Sequence, residues 1–186
     1  TDLADRLEER FTLLAGGPRD AVARQRTLEA SIAWSYQLLD DDEQRAFRRL
    51  SVCTGSFPMT AAIRLCDHVK DPELTVMRLR DCSLLAERPG DRMQMLEPVR
   101  WFARERLIDS AEADAMLGLH LDWCLDTARA LGAELEGPRV QDALAELDAD
   151  VDNLRTAMDW GITHGRGLDA ARVVAATSWY WVWRGR

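Results

Sequence analysis

The side chains of this 186-residue chain that could carry out chemistry are four cysteines, three histidines and a run of acidic residues. His120 precedes Cys124 by four residues on a predicted helix, so the imidazole could reach the thiol and activate it as a nucleophile. No third residue that would orient the histidine stands nearby in the sequence. We therefore expect His120 to be a packing or surface residue, and we predict no catalytic residue in the chain.

Two segments contain metal-ligand residue types without the spacing of a metal site. Residues 66–68 (Cys-Asp-His), together with Cys53 or Cys82, lack the closely paired ligands of a structural zinc site. Residues 148–153 alternate acidic side chains as a calcium loop does, but they lack its glycine at the sixth position and its glutamate at the twelfth. We predict no metal site, buried reduced thiols, and a solvated acidic face at 148–153.

Composition argues against several classes of protein. The net charge is −8, and residues 110–186 carry −6 of it, so no segment has the basic excess typical of nucleic-acid-binding modules. No apolar run approaches the roughly 20 residues of a membrane helix, and the polar, acidic start is unlike a signal peptide. We expect a cytoplasmic protein that contacts neither membranes nor nucleic acid through this region. Because position 1 is threonine, we also expect a piece of a longer protein.

The hydrophobic pattern predicts a mainly helical chain with one small β-hairpin. Asp40–Glu43 has the form of a capping box, and Asp71-Pro72 is typical of a helix start. Two short strands, residues 85–88 and 92–96, flank the turn Pro89-Gly90-Asp91. A strand, a turn and a strand that follow several short helices are how a winged-helix domain ends.

The rest of the chain is predicted to form further helices. Their residues are 3–14, a second helix opening at Thr27, and, beyond residue 110, separate helices through 117–131, 140–147, 154–162 and 168–183. The last of these ends in an aromatic cluster that is apolar on all sides, so it needs a partner, and we expect more helix pairs beyond it. We divide the chain into the end of a preceding helical domain (1–26), a winged-helix domain (27–109) and a truncated helical array (110–186).

Three blocks in this order resemble the STAND class of signal-transduction ATPases (NB-ARC type), especially bacterial regulators that carry LuxR-type or SARP-type DNA-binding domains. The blocks are residues 10–17 (RFTLLAGG), residues 26–39 continuing through 47–52, and residues 95–100 (MLEPVR). Residues 152–160 are similar to the beginning of the TPR-like region of that class. The resemblance covers almost the whole chain, and it implies the winged helix and the start of a TPR-like array.

The resemblance also implies a function. In this class, exchange of ATP and ADP in a P-loop ATPase domain moves the winged helix and opens the molecule for assembly or output. This chain has no GxxxxGK(S/T) phosphate loop, so we expect no enzyme activity and no cofactor of its own. The intact protein is expected to bind ATP or ADP with Mg²⁺. The expected partners are its own ATPase domain, further helical repeats and a protein or small-molecule inducer.

The resemblance further implies where nucleotide would be sensed. Many relatives have Met-His-Asp where this chain has Met95, Leu96 and Glu97, and in those relatives the histidine approaches the phosphate of ADP. Leucine cannot donate a hydrogen bond, so Leu96 cannot take that role. The candidates for nucleotide sensing or interdomain contact are therefore Met95, Leu96, Glu97 and Arg100. Of these, Glu97 could serve as a cap or an interdomain contact, and Arg100 could bind a phosphate or carboxylate.

Two other functions remain open at the level of sequence. The chain could be a stand-alone helical module that binds a protein through its acidic residues 110–186. It could also be a DNA-binding regulator in its own right. The predicted recognition helix offers Arg78 and Arg80 but also Glu73 and Asp81, which favours packing between domains over binding to DNA.

Overall fold

The structure, a computed structural model, describes residues 18–185, with side chains from residue 27 onward. The predicted helix at residues 3–14 and the block at residues 10–17 lie outside the described residues. The chain divides after Leu39 into two compact units. The domain boundaries inferred from sequence, after residues 26 and 109, stay predictions.

In the first unit the structure describes one helix, α1, which spans Pro18–Gln37. Proline is well suited to the first turn of a helix, where its missing N–H has no intrahelical partner. The predicted helix start at Thr27 is wrong, since Thr27 lies within α1. The physical reason is that residues 19–37 contain neither glycine nor a further proline to interrupt the helix.

The second unit begins with the element order of a winged-helix domain. Its elements are α2 (Asp41–Leu50), β1 (Ser56–Pro58), α3 (Met59–Leu65), α4 (Pro72–Asp81), β2 (Ala86–Arg88) and β3 (Arg92–Gln94). Strand β3 is central and pairs antiparallel with both neighbours, which gives the order β1-β3-β2. The predicted hairpin is confirmed. The sequence missed β1, because a three-residue strand is too short to show alternation.

Two predicted helix starts are also confirmed. The Asp40 carboxylate accepts from the backbone N–H of Glu43 at 2.8 Å, and the Glu43 carboxylate accepts from the N–H of Asp40 at 3.0 Å. This reciprocal arrangement is a capping box. Asp71 caps α4 by accepting from the Leu74 N–H at 3.0 Å. Both starts depend on contacts within four residues, which is why the sequence could predict them.

Five further helices complete the second unit: α5 (Glu97–Asp109), α6 (Ala113–Glu134), α7 (Val140–Thr163), α8 (Gly167–Ala176) and α9 (Ser178–Trp183). The two helices predicted within residues 140–162 form a single helix, because no glycine or proline stands between residues 148 and 153. The helix predicted over 168–183 is instead divided at Thr177. Its hydroxyl donates to the carbonyl of Val173 at 2.8 Å, a bond that favours bending of a helix.

The sheet and the long helices share one buried core. Strand β1 contacts α7, α3 contacts α6, and α6, α7 and α8 pack on one another. Fully buried side chains come from every layer: Phe47, Phe57, Leu65, Leu107, Leu121, Leu147 and Leu154. The described chain is thus mainly helical with a small sheet, as predicted, and the sheet is packed directly onto α7.

Candidate functional site

The predicted sensing residues lie where β3 ends and α5 begins. Met95 is buried, with only 2% of its surface exposed, whereas Leu96 is 50% exposed. Leu96 occupies the N-cap position of α5 and makes no side-chain cap, because leucine has no hydrogen-bonding group. The first turn of α5 therefore has no side-chain acceptor at its cap position.

Glu97 and Arg100 form an ion pair within the first turn of α5. The guanidinium donates through Nε to Oε1 at 3.1 Å and through Nη2 to Oε2 at 3.0 Å. The Glu97 side chain is 74% exposed and that of Arg100 is 22% exposed. Exposed pairs of this kind contribute at most about 1 kcal/mol to stability. The Glu97 carboxylate can therefore leave the pair at small cost, because it is already mostly exposed to water.

Apolar side chains on the same helix are also exposed. Trp101 is 62% exposed and Ile108 is 59% exposed. They stand seven residues apart, so they project from the same face of α5. Leu96, at the N-cap position of the same helix, adds a third exposed apolar side chain.

The opposite end of β3 has a buried ion pair that the sequence analysis did not find. Arg92 in β3 pairs with Asp150 in α7, and their side chains are 11% and 4% exposed. Arg92 also donates through Nε to the hydroxyl of Ser56 at 2.8 Å and through Nη2 to its carbonyl at 2.9 Å. One guanidinium thus joins β1, β3 and α7.

Asn153, one turn further along α7, strengthens the same connection. Its Nδ2 donates to the carbonyl of Ser56 at 2.8 Å, and its Oδ1 accepts from the N–H of Thr54 at 2.8 Å. These two backbone partners fix the orientation of the amide. The Nε2 atom of His120, which lies 3.3 Å from Oδ1, must therefore be the nitrogen that has the proton. We call Ser56, Arg92, His120, Asp150 and Asn153 the wing junction.

The prediction of a solvated acidic face at 148–153 is wrong for two of its residues. Asp150 is 3% exposed and Asn153 is completely buried. A signal was available in the sequence, because Asp150 and Asn153 fall in helical register with Leu147 and Leu154, which are fully buried. The alternation of acidic residues concealed this helical period.

Burial determines the protonation of the junction. Burial is the main cause that lowers the pKa of His120 to about 4; the hydrogen bond to Asn153 opposes this shift, and the nearby Arg104 guanidinium adds to it. Burial raises the pKa of Asp150, and Arg92 partly opposes that rise. His120 is therefore neutral at pH 7, which suits its hydrogen bond to Asn153.

The other sequence candidates fall into structural roles. Cys124 lies 3.8 Å from the Nε2 atom of His120, but burial raises its pKa well above the ordinary value, so it stays a thiol. Cys53 and Cys66 are buried as predicted, whereas Cys82 is exposed, against the prediction. Among the described side chains, from residue 27 to residue 185, we find no cluster of three or more potential metal-ligating groups. Across residues 18–185, no helix is both long and apolar enough to cross a membrane.

Helix α4, the predicted recognition helix, has arginines that are already neutralised. Arg78 donates to Glu43 at 2.7 Å, and Arg80 pairs with Asp81 and Glu87. The same helix also exposes Leu74 and Met77, which are 50% and 43% accessible. Such a surface suits protein contact better than the phosphates of a nucleic acid.

Comparisons with known proteins agree with a regulatory context. No family model and no solved structure matches this chain. The whole chain is 36% identical over 193 aligned residues to proteins of Mycobacterium tuberculosis and Mycobacterium bovis that are named "Putative HTH-type transcriptional regulator". The chain spans 21% of their length, about a fifth. An uncharacterized protein of Mycobacterium tuberculosis is 34% identical over 119 residues, which cover 60% of this chain and 30% of that protein.

Proposed function

We propose that this chain is the coupling region of a larger, STAND-type transcriptional regulator that acts in the cytoplasm. The observation that carries the proposal is the placement of β3. One end of this strand is held to α7 by the buried Arg92–Asp150 pair, and the other end leads directly into the exposed start of α5. The similarity to longer proteins named as transcriptional regulators supports it.

In this proposal the sheet and α7 move as one body. The wing junction binds β1 to α7 through the Asn153–Ser56 hydrogen bond and β3 to α7 through the Arg92–Asp150 pair, so a displacement of the helical layers is carried to β3. Since β3 is only three residues long, the start of α5 must follow. Rigid-body motion of packed elements is a common way for regulators to switch.

The receiving surface in this proposal is the first turn of α5. Arg100 exchanges Glu97 for a carboxylate or a nucleotide phosphate of an ATPase domain elsewhere in the intact protein. That domain binds ATP or ADP with Mg²⁺ and supplies any hydrolysis, while this chain supplies none. Further helical repeats receive the signal, which is a protein or small-molecule inducer.

Charge reversal at Arg100 in the intact regulator tests the proposal. Arg100→Glu is expected to change the rate of ADP release at least about threefold, since one charge-assisted hydrogen bond is worth more than 1 kcal/mol. Arg106→Glu is the matched control, because Arg106 also pairs with a carboxylate three residues away on the same helix. Stopped-flow fluorescence of a labelled ADP analogue measures the rate of ADP release from each variant. Equal rates in the two variants and the natural protein would refute the proposal.

Direct DNA binding is the second candidate, and the name "HTH-type" of the relatives favours it. Since Arg78 and Arg80 are paired with carboxylates, we expect no complex with duplex DNA at about 10 µM protein and low salt, within the usual range of non-specific affinity. A gel shift checks this, with an established winged-helix DNA-binding protein as the positive control. A complex that Arg78→Glu abolishes would replace coupling with DNA binding as the function of α4.

A further inference from the structure

A trough lined by α6 and α7 extends to the turn of the β2–β3 hairpin. Its larger part is a cleft of about 670 Å³ whose walls include Pro58, Pro89 and Trp123. A second cleft, of about 310 Å³, shares Leu131 and Glu146 with the first. The two clefts are therefore neighbours, and we call them together the α6–α7 trough.

The charges that line the trough do not cancel. Four of the six charged side chains neutralise one another in the pairs Arg92–Asp150 and Glu134–Arg139. The remaining two, Asp142 and Glu146, have no ion-pair partner among the described residues. The trough thus combines apolar walls with two unpaired negative charges, which is complementary to an occupant that is both apolar and cationic.

The dimensions of the trough favour an extended peptide. Asp142 and Glu146 are one helical turn apart on α7, about 6 Å along the axis. Residues two apart in an extended chain are separated by about 6.6 Å, so two such side chains can reach both carboxylates. The part of α7 that lines the trough, from Asp142 to Asp150, is about 12 Å long. That length accommodates about four extended residues.

We propose that the α6–α7 trough binds a short extended segment of a partner protein, with two basic side chains two residues apart and apolar side chains beside them. The basic groups pair with Asp142 and Glu146, and the apolar groups pack on the two prolines. The bound segment lies next to the Arg92–Asp150 pair, which also lines the trough. This inference goes beyond coupling to nucleotide and holds whether or not an ATPase domain is attached.

Peptides that differ only in charge test this proposal. Three fluorescein-labelled octapeptides share the same apolar residues and have arginine, glutamine or glutamate at the two charged positions. Fluorescence anisotropy against the 186-residue chain at low salt is expected to show about tenfold tighter binding of the arginine peptide than of the glutamine peptide, because only the arginine peptide forms the two rim ion pairs. The glutamate peptide is expected to bind more weakly still.

Matched charge reversals locate the site. Glu146→Arg is expected to weaken binding of the arginine peptide at least about tenfold, since it replaces an attraction with a repulsion. Asp159→Arg makes the same charge change at an exposed position of α7 that does not line the trough, and it is expected to change affinity less than about twofold. Circular dichroism of both variants checks that they are folded, which is expected because both positions are exposed.

Four results would overturn the proposal. The first is equal weakening by Glu146→Arg and Asp159→Arg, which would indicate general electrostatic attraction. The second is equal affinity for the arginine and glutamine peptides, and the third is absence of binding by the arginine peptide at about 1 mM, the limit of weak specific affinity. The fourth is a dimer in sedimentation experiments that Glu146→Arg dissociates, which would assign the trough to a second copy of this chain.

Discussion

The two ends of β3 differ in how their charged residues are held. At its start, Arg92 pairs with Asp150, 58 residues away, and both side chains are nearly inaccessible. Beyond its other end, Arg100 pairs with Glu97, only three residues away, and the carboxylate is mostly exposed. The same pair of chemical groups is therefore buried and joins distant segments in one place, and is local and partly exposed in the other.

The difference follows from solvation. Removing one partner of a buried pair leaves a charge without water or counter-charge, and that is costly. Opening the Glu97–Arg100 pair returns the mostly exposed carboxylate to water, which costs little. A coupling element needs both properties, because one end must transmit displacement and the other must change partner.

Removing the buried carboxylate is expected to have the largest effect. Asp150→Ala leaves Arg92 buried and unpaired, so we expect a loss of about 3–5 kcal/mol in the free energy of unfolding. Asp152→Ala is the control, because this exposed aspartate is two residues away on the same helix, and it should cost less than about 0.5 kcal/mol. Urea unfolding followed by circular dichroism measures both. Similar small losses in the two variants would show that the junction does not hold the sheet to α7.

A lower pH is expected to have the second-largest effect, because it destabilises the wing junction at the start of β3. The pKa of His120 is about 4 in the folded chain and about 6.5 when unfolded, so the unfolded state takes up the proton first. The contribution of neutral His120 to the free energy of unfolding is fully present above pH 6.5. It is lost as the pH falls toward 4. Between pH 7 and pH 5 the loss amounts to about 2 kcal/mol.

The variant His120→Gln isolates this contribution. The pKa of His68 is lowered by burial and by Arg49, so His68 also reduces stability as the pH falls. The pKa of Asp150 is raised, so Asp150 increases stability as the pH falls. Both groups remain in the variant, so the difference between the two pH profiles belongs to His120. Urea unfolding of the natural chain and of the variant, each at pH 7 and pH 5, gives the four free energies of unfolding that the comparison needs. Parallel profiles would contradict the inferred burial of a neutral histidine.

The exposed end is expected to show the smallest effect on stability. Arg100→Ala removes a surface pair and should lower the free energy of unfolding by less than about 1 kcal/mol. The comparison with Asp150→Ala, by the same urea titration, gives the contrast between the two ends directly. A loss at Arg100 as large as that at Asp150 would mean that Arg100 is a structural anchor and is not available to another anion.

Features that depend on near neighbours could be predicted from the sequence. The capping box at Asp40–Glu43, the Asp71 cap and the turn at Gly90, whose φ is +79°, are encoded within a few residues. The wing junction was missed because its partners are far apart in the chain. Thr54 and Asn153, for example, are 99 residues apart. A periodicity argument shows which face of a helix is buried but not what lies opposite it.

The sequence alone determined the capped helix starts at Asp40 and Asp71, the β-hairpin and the mainly helical class, because local hydrogen bonds and hydrophobic periods specify them. Only the tertiary structure decided that Asp150 is buried against Arg92, and that α6 and α8 meet at Gly132. A Cβ at position 132 would lie 2.0 Å from the carbonyl oxygen of Ala176, so this crossing requires glycine. Whether a charge is buried, or a glycine is required, depends on which distant surface packs against it, and the packing of the whole chain determines that.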